Sequence, residues 1–219
     1  MKNLQTKEIY DKYIKEYVDK FMGLDLYADT FNHLLQLIPL AASVLDLGCG
    51  PGNVVKYLSS RRKDLTFLGV DIAAGMIEEA KRQNPGVCFR VMDIMDMPDV
   101  EQAFDVIVGA FCLPYLPREN VPRFFQNIKT ISADNTWLYL SFMEGPALRS
   151  GWERTSFTGE DKLYINYYER EKIEALLKKH HFDIECLFTK DYPEMDGSST
   201  TDLFTLQKDR DQNRQRWKY

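Results

Sequence analysis

Asp46 falls within a short apolar run, and three glycines follow it at every second position, Gly48, Gly50 and Gly52. Residues 43–53 read S-V-L-D-L-G-C-G-P-G-N, in which Val44, Leu45 and Leu47 suit a buried strand. The glycines fall where a backbone turns tightly and a ligand can come close with no Cβ in the way. Pro51 and Asn53 suit the start of a helix. Alone, such a turn would serve any tight strand-to-helix connection. About 20 residues further on, however, a second apolar run ends at Asp71, where a carboxylate can accept hydrogen bonds from both hydroxyls of a ribose. Strand, glycine turn, helix, strand and terminal acid describe a nucleoside site. A dinucleotide turn needs its third glycine where this chain has Asn53, and Asp46 would repel a diphosphate. The same carboxylate could attract an ammonium, so the implied ligand carries a positive amino acid end.

Taken together, these residues resemble motif I of the class I S-adenosylmethionine-dependent methyltransferases. Val70-Asp71-Ile72 with Met76 is similar to motif II, Val91-Met92-Asp93-Ile94 to motif III, and residues 104–109 with Ala110, Phe111, Cys112 and Leu113 to motif IV and the segment after it. The resemblance covers roughly residues 40–145 in the family's order and spacing. It implies S-adenosylmethionine as cofactor and S-adenosylhomocysteine as product. The cofactor-binding residues it implies are Asp46, Gly48, Cys49, Gly50 and Gly52 at the turn, and Asp71, Ile72 and Met76 at the ribose and adenine. Asp93 and Ile94 would meet the adenine amino group, with Ala110 and Phe111 beside them. It is silent on the acceptor.

The elements that must position these residues alternate. Helices are expected at 53–60, 73–83, 120–131 (capped by Asn120) and 169–179, and strands at 43–47, 65–70, 87–92, 104–109, 137–142, 182–189 and 201–207. Helices alternating with strands imply a parallel sheet with right-handed crossovers. The last two strands are joined by only about eleven residues without a helix, so they should pair antiparallel. The fold expected is an α/β, Rossmann-like doubly wound seven-stranded sheet, mostly parallel with the last strand antiparallel and helices on both faces. Ligands then gather at the carboxyl ends of the strands, at loops starting from Asp46, Asp71, Asp93, Gly109 and Phe142. Residues 1–40 form an N-terminal helical cap, with one amphipathic helix over 6–22 that could place Tyr10, Tyr13 or Tyr17 over the cofactor, and a second over 30–38. Residues 41–207 form the domain, and 208–219 a polar tail.

The acceptor side is expected in 143–168, about 26 residues with five aromatics, too long and too aromatic for a simple connection. Arg149, Trp152, Tyr167 and Tyr168, with Tyr192 from a later loop, are the candidate substrate-binding residues, and Glu144 and Arg154 could hold polar ends. A general base is needed only if the acceptor arrives protonated; Glu144, His33 and Tyr168 are the candidates, and none announces itself. Leu113-Pro114-Tyr115 resembles part of the motif by which nucleic acid amino-group methyltransferases hold an amine, but Cys112 and Leu113 replace its polar residue and first proline. His180 and His181 fall at a helix C-terminus and read as structural.

At 219 residues the chain has room for one domain. A net charge of -5 repels polyanions, so nucleic acid is a disfavoured partner. Cys49, Cys88, Cys112 and Cys186 lack metal-ligand spacing and read as reduced, buried residues, with no metal implied. The first twenty residues carry no apolar leader and no stretch has membrane-span length, so the expectation is a cytoplasmic monomer or homodimer away from membranes. The function expected is methyl transfer to a small-molecule N, O or C nucleophile by in-line displacement. The alternatives are a methyltransferase acting on a protein or nucleic acid, and a non-catalytic S-adenosylmethionine-binding module; Asn53 and Asp46 argue against a nicotinamide enzyme.

Overall fold

The computed structural model describes residues 2–23, 25–193 and 199–210. Most of the expected tail, 211–219, lies outside the described residues. Seven strands form one sheet: β1 (Ser43–Leu47), β2 (Thr66–Asp71), β3 (Cys88–Val91), β4 (Phe104–Ala110), β5 (Ser132–Met143), β8 (Phe182–Pro193) and β9 (Ser199–Asp209). Their order is β3-β2-β1-β4-β5-β9-β8. The first five run parallel, and β9 pairs antiparallel with both β5 and β8. Around the sheet lie α3 (Ala28–Leu37), α4 (Asn53–Arg61), α5 (Ala74–Gln83), α6 (Val121–Ile131) and α7 (Arg170–Lys179).

The continuous apolar runs follow from burial on both faces, because alternate residues of a strand point to opposite sides. Leu45, Leu47, Ile107 and Leu138 pack with Phe124, Phe125 and Ile128 of α6. Their neighbours Val44, Val106 and Tyr139 pack instead with Phe31 and Leu34 of α3 and with Val54 and Leu58 of α4. Each fully buried side chain of this kind contributes about 1.5–3 kcal/mol, so both helical layers are held by the same strands. The strand order reverses between β1 and β4, and a crevice opens there at their carboxyl ends.

Several local expectations change. The helix expected over 6–22 is broken at Tyr13 into α1 (Lys2–Lys12) and α2 (Ile14–Phe21), with Tyr13 at φ -118°, ψ 37°. Tertiary contacts hold the break: Tyr13 is 8% exposed, its ring lies 6.2 Å from that of Phe157, and Lys12 pairs with Asp161 at 2.8 Å. The long segment after β5 is folded, with a hairpin of β6 (Gly151–Arg154) and β7 (Lys162–Ile165) paired antiparallel. Asn120 makes no side-chain cap and ends a short 3-10 turn, Arg118–Asn120. The strand expected from 137 begins earlier, β5 starting at Ser132, with Asn135 at φ 62° in the stretch where its register with β4 shifts. Cys88 is exposed and Cys186 half-buried, because β3 and β8 are the edges of the sheet.

Candidate functional site

β1 delivers Asp46 to the crevice and the glycine turn follows, with Gly48 at φ 66° and Gly50 at φ 51°, a backbone that side chains resist. Cys49 N–H donates to the Val70 carbonyl at 3.0 Å and so ties the turn to β2. At the end of β2 the Asp71 carboxylate accepts the Gly50 N–H at 2.9 Å and the Ala73 N–H at 2.8 Å. Burial raises the Asp71 carboxyl above its ordinary value, against the pull of those two N–H groups. Asp93 Oδ1 accepts the Met95 N–H at 2.9 Å and holds the loop after β3.

Asp46 is the unusual group. It is 1% exposed, and its Oδ2 is buried without a hydrogen-bond partner. Burial, and secondarily the charge of Asp71, pushes its carboxyl up to about 7. A buried carboxylate without a partner is costly, and a cationic group bound beside it relieves that cost.

These residues line a cavity of about 250 Å³. Its floor is the row of strand ends: Asp46, Gly48, Cys49, Gly50, Asp71, Ile72, Met76, Asp93, Ile94, Ala110 and Phe111. Its roof is Tyr10 of α1, Tyr17 and Phe21 of α2, and Phe157 from the hairpin loop. The rings interlock, Tyr10 with Tyr17 at 5.5 Å, Tyr10 with Phe157 at 5.7 Å and Tyr17 with Phe157 at 5.6 Å. Tyr115 packs edge-on against Tyr10 at 5.6 Å, and Met143, Glu153, Arg154, Tyr27, Tyr192 and Asp202 line the rest of the cavity.

Gly52 does not line the cavity. At φ 78° it caps α4, and a Cβ there would come within 2.5 Å of Asn84 Nδ2, so close packing against the end of α5 requires this glycine. Of the candidate substrate-binding residues, only Tyr192 is on the cavity wall. Tyr168 donates its hydroxyl to the Leu113 and Leu116 carbonyls behind the wall, and Tyr167 donates to Glu153 Oε2. Arg149 stacks on Tyr167 with its guanidinium 4.2 Å from the ring and donates to Thr200. Trp152 is 47% exposed, paired with Tyr164 on the outer face of the hairpin. The expectation that Arg149, Trp152, Tyr167 and Tyr168 face the substrate is therefore corrected: they brace the wall or point away from it. The base candidates are corrected likewise. His33 Nε2 lies 2.9 Å from Cys186 Sγ, away from the cavity. The Glu144 N–H donates to Thr201, and neither its side chain nor that of Tyr168 lines the cavity.

The residues that sequence reading missed are Tyr27, Tyr115, Glu153 and Asp202. Asp202 did leave a signal, a charge within the otherwise apolar or neutral strand T-D-L-F-T-L. Among the described residues no group of side chains could hold a metal ion, and no helix is long and apolar enough to cross a membrane.

An open, mostly parallel sheet with a crevice at its switch point defines a Rossmann-like α/β fold, the fold of solved methyltransferases. Residues 44–135 match the family model described as methyltransferase domain. It is 41% identical over 86 residues to trans-aconitate 2-methyltransferase of Methylobacterium nodulans, a match covering 38% of this chain and 33% of that protein. The enzyme of the same name from Variovorax paradoxus is 35% identical over 98 residues, 43% of this chain and 38% of that one. The chain thus spans well under half the length of these two relatives. Among solved structures, the N-methyltransferase NodS from Bradyrhizobium japonicum in complex with S-adenosyl-L-homocysteine superposes with a TM-score of 0.67 at 15% identity, covering 96% of this chain and 100% of that one. A Burkholderia thailandensis 1,6-didemethyltoxoflavin-N1-methyltransferase superposes with a TM-score of 0.65 at 18% identity, covering 94% and 86%. At these identities the shared property is the fold.

Proposed function

We propose that this protein is an S-adenosylmethionine-dependent methyltransferase acting on a small molecule. The observation that carries the reading is the Asp46 carboxylate, buried beside the glycine turn with an oxygen lacking any partner. It suits the ammonium of the cofactor's amino acid end. Gly48 and Gly50 leave the backbone open beside it, Asp71 stands where ribose hydroxyls would bond, and Ile72, Met76 and Ile94 offer apolar contact for an adenine. When bound, the cofactor supplies a methyl group on a positive sulfonium, which needs no protein nucleophile.

The chain's own residues then orient the acceptor and exclude water. The aromatic roof of Tyr10, Tyr17, Phe21 and Phe157 serves the second task, and its rings favour a nearby cation. A cavity of about 250 Å³ roofed by aromatic rings suits a small acceptor better than a polymer. The small-molecule acceptors in the names of the trans-aconitate and 1,6-didemethyltoxoflavin methyltransferases agree with this. Four unpaired cysteines fit a reducing compartment, in keeping with the cytoplasm.

Calorimetric titration with S-adenosylmethionine, S-adenosylhomocysteine and NAD, side by side, tests the reading. Micromolar binding of both sulfur compounds and none of NAD is expected; binding of NAD alone, or of nothing, would refute it.

A further inference from the structure

The cavity is longer than the nucleoside site needs. From Asp71 on β2 to Asp202 on β9 it crosses β1, β4 and β5, four strand spacings or about 19 Å. Asp46, Asp71 and Asp93 serve the first half. The second half has its own carboxylate. Asp202 lies opposite Met143 in the β5–β9 register, is 2% exposed, and accepts the Tyr27 hydroxyl on Oδ2 at 2.7 Å. The Tyr27 ring is itself fixed, 5.3 Å from Phe111 and 4.9 Å from Phe204. Lys190, the neighbour of Asp202 on β8, directs its ammonium to Asp29 at 2.6 Å.

Charge decides what this half can take. Glu153, whose Oε2 accepts the Tyr167 hydroxyl, lines the same cavity, and the lone cationic side chain on the described wall is Arg154, whose guanidinium donates to the Gly159 carbonyl at 3.3 Å. No lysine or histidine lines the described cavity. Tyr27 and Tyr115 add ring faces, which attract cations, while the Tyr192 ring already has the Lys20 ammonium 5.5 Å from its centre. An anionic acceptor would meet two carboxylates, whereas an ammonium would meet a carboxylate held in place among aromatic rings.

We propose that the acceptor is a small amine that enters as its ammonium, and that Asp202, positioned by Tyr27, receives its N–H. This rests on the methyltransferase reading above. The ammonium gives one proton to the Asp202 carboxylate, and the freed lone pair takes the methyl group in line. The carbon–sulfur bonding pair stays with sulfur, leaving a neutral thioether. The product is the N-methylammonium, and the proton on Asp202 passes to water.

The test uses the full chain saturated with S-adenosylhomocysteine. It is titrated with phenethylamine, tyramine, histamine and putrescine, and with the alcohols and carboxylates of matching skeleton; methyl transfer from labelled S-adenosylmethionine is then followed for every compound. Binding and N-methylation confined to amines are expected. Asp202→Asn should lower kcat/KM for the amine by about 100-fold with S-adenosylhomocysteine affinity within threefold of the parent. Tyr27→Phe should raise the amine KM about fivefold at similar kcat and unchanged cofactor affinity, a split that general loosening of the fold would not produce. Preference for carboxylates or alcohols, an unaffected Asp202→Asn, or a protein that binds the sulfur compounds but no amine would overturn the proposal. Failure to bind the sulfur compounds would instead overturn the methyltransferase reading beneath it.

Discussion

The Asp71 carboxylate closes the glycine turn, its Oδ2 accepting the Gly50 N–H at 2.9 Å. The acid expected to hold a ribose is thus also a brace for the loop that would meet the rest of the cofactor. Removing it has two consequences. Asp71→Ala should weaken S-adenosylmethionine binding by at least 100-fold, and should also cost about 1–3 kcal/mol of stability by leaving the Gly50 and Ala73 N–H groups without their acceptor. Asp71→Asn, which keeps an acceptor oxygen, should recover part of the stability and less of the affinity. Calorimetry and thermal unfolding of the two variants separate the roles; wild-type affinity in Asp71→Ala would refute the ribose assignment.

Asp46 should make both stability and affinity depend on pH. Its folded-state carboxyl sits at about 7, above the ordinary value of about 3.9, so the folded protein holds a proton that the unfolded chain has released. Stability of the unliganded protein therefore falls as pH rises between about 4 and 7, and the penalty is complete above that window. A cationic ligand reverses the preference, because it binds the ionised form. S-adenosylhomocysteine affinity should rise about tenfold between pH 6 and pH 8 as Asp46 ionises. Asp46→Asn should flatten both profiles, weaken binding at pH 8, and raise the unliganded melting temperature there. An affinity that falls with pH would contradict the role given to this carboxylate.

The half of the cavity proposed for the cofactor was legible as a cluster because its residues are local in sequence. Asp46, Gly48, Cys49 and Gly50 share one turn, and Asp71, Asp93 and Ala110 each end or follow a strand whose apolar run announces it. The parallel order followed from the same runs. The half proposed for the acceptor is assembled from Tyr27, Glu153, Tyr192 and Asp202, which no single spacing connects. There, composition misled. Trp152 and Glu153 are adjacent on β6, and only the docking of the hairpin decides that the acid faces the cavity while the larger ring faces outward. The break at Tyr13 was hidden for a related reason, since α1 and α2 contain no proline or glycine and the bend is imposed by Phe157 and Asp161 from far along the chain.

Gly50 and Gly52 should respond differently to the same substitution. Gly52→Ala adds a methyl group 2.5 Å from Asn84 Nδ2, with Ala80 Cβ and a Phe89 ring carbon at 3.3 Å. With the positive φ included, a loss of about 2–4 kcal/mol is expected. Below the lowered melting temperature, S-adenosylhomocysteine affinity should stay within about threefold. Gly50→Ala meets only the Tyr17 ring, at 3.8 Å, so stability should fall by about 1 kcal/mol. Its new methyl group stands on the cavity floor, and affinity should drop by 10-fold or more. Thermal unfolding and calorimetry on both variants check the contrast, and equal effects on binding would return Gly52 to the ligand site.

Phe157 joins the hairpin loop to both N-terminal helices, packing on Tyr10, Tyr13 and Tyr17. If the N-terminal segment is a cap over the cofactor, its closure rests on this ring and on the Lys12–Asp161 and Lys20–Ser156 contacts nearby. Phe157→Ala leaves the Rossmann-like sheet untouched, because the aromatic cluster is separate from the two cores that hold the strands. The melting temperature should fall by only a few degrees. The α1–α2 region should instead open more often and be cut faster by trypsin at Lys12, Lys15 and Lys20. Saturating S-adenosylhomocysteine should protect those sites at least fivefold in the parent protein and less in the variant, since ligand under the roof adds contacts that favour closure. Equal cleavage with and without ligand in the parent would remove the cap from the account of binding.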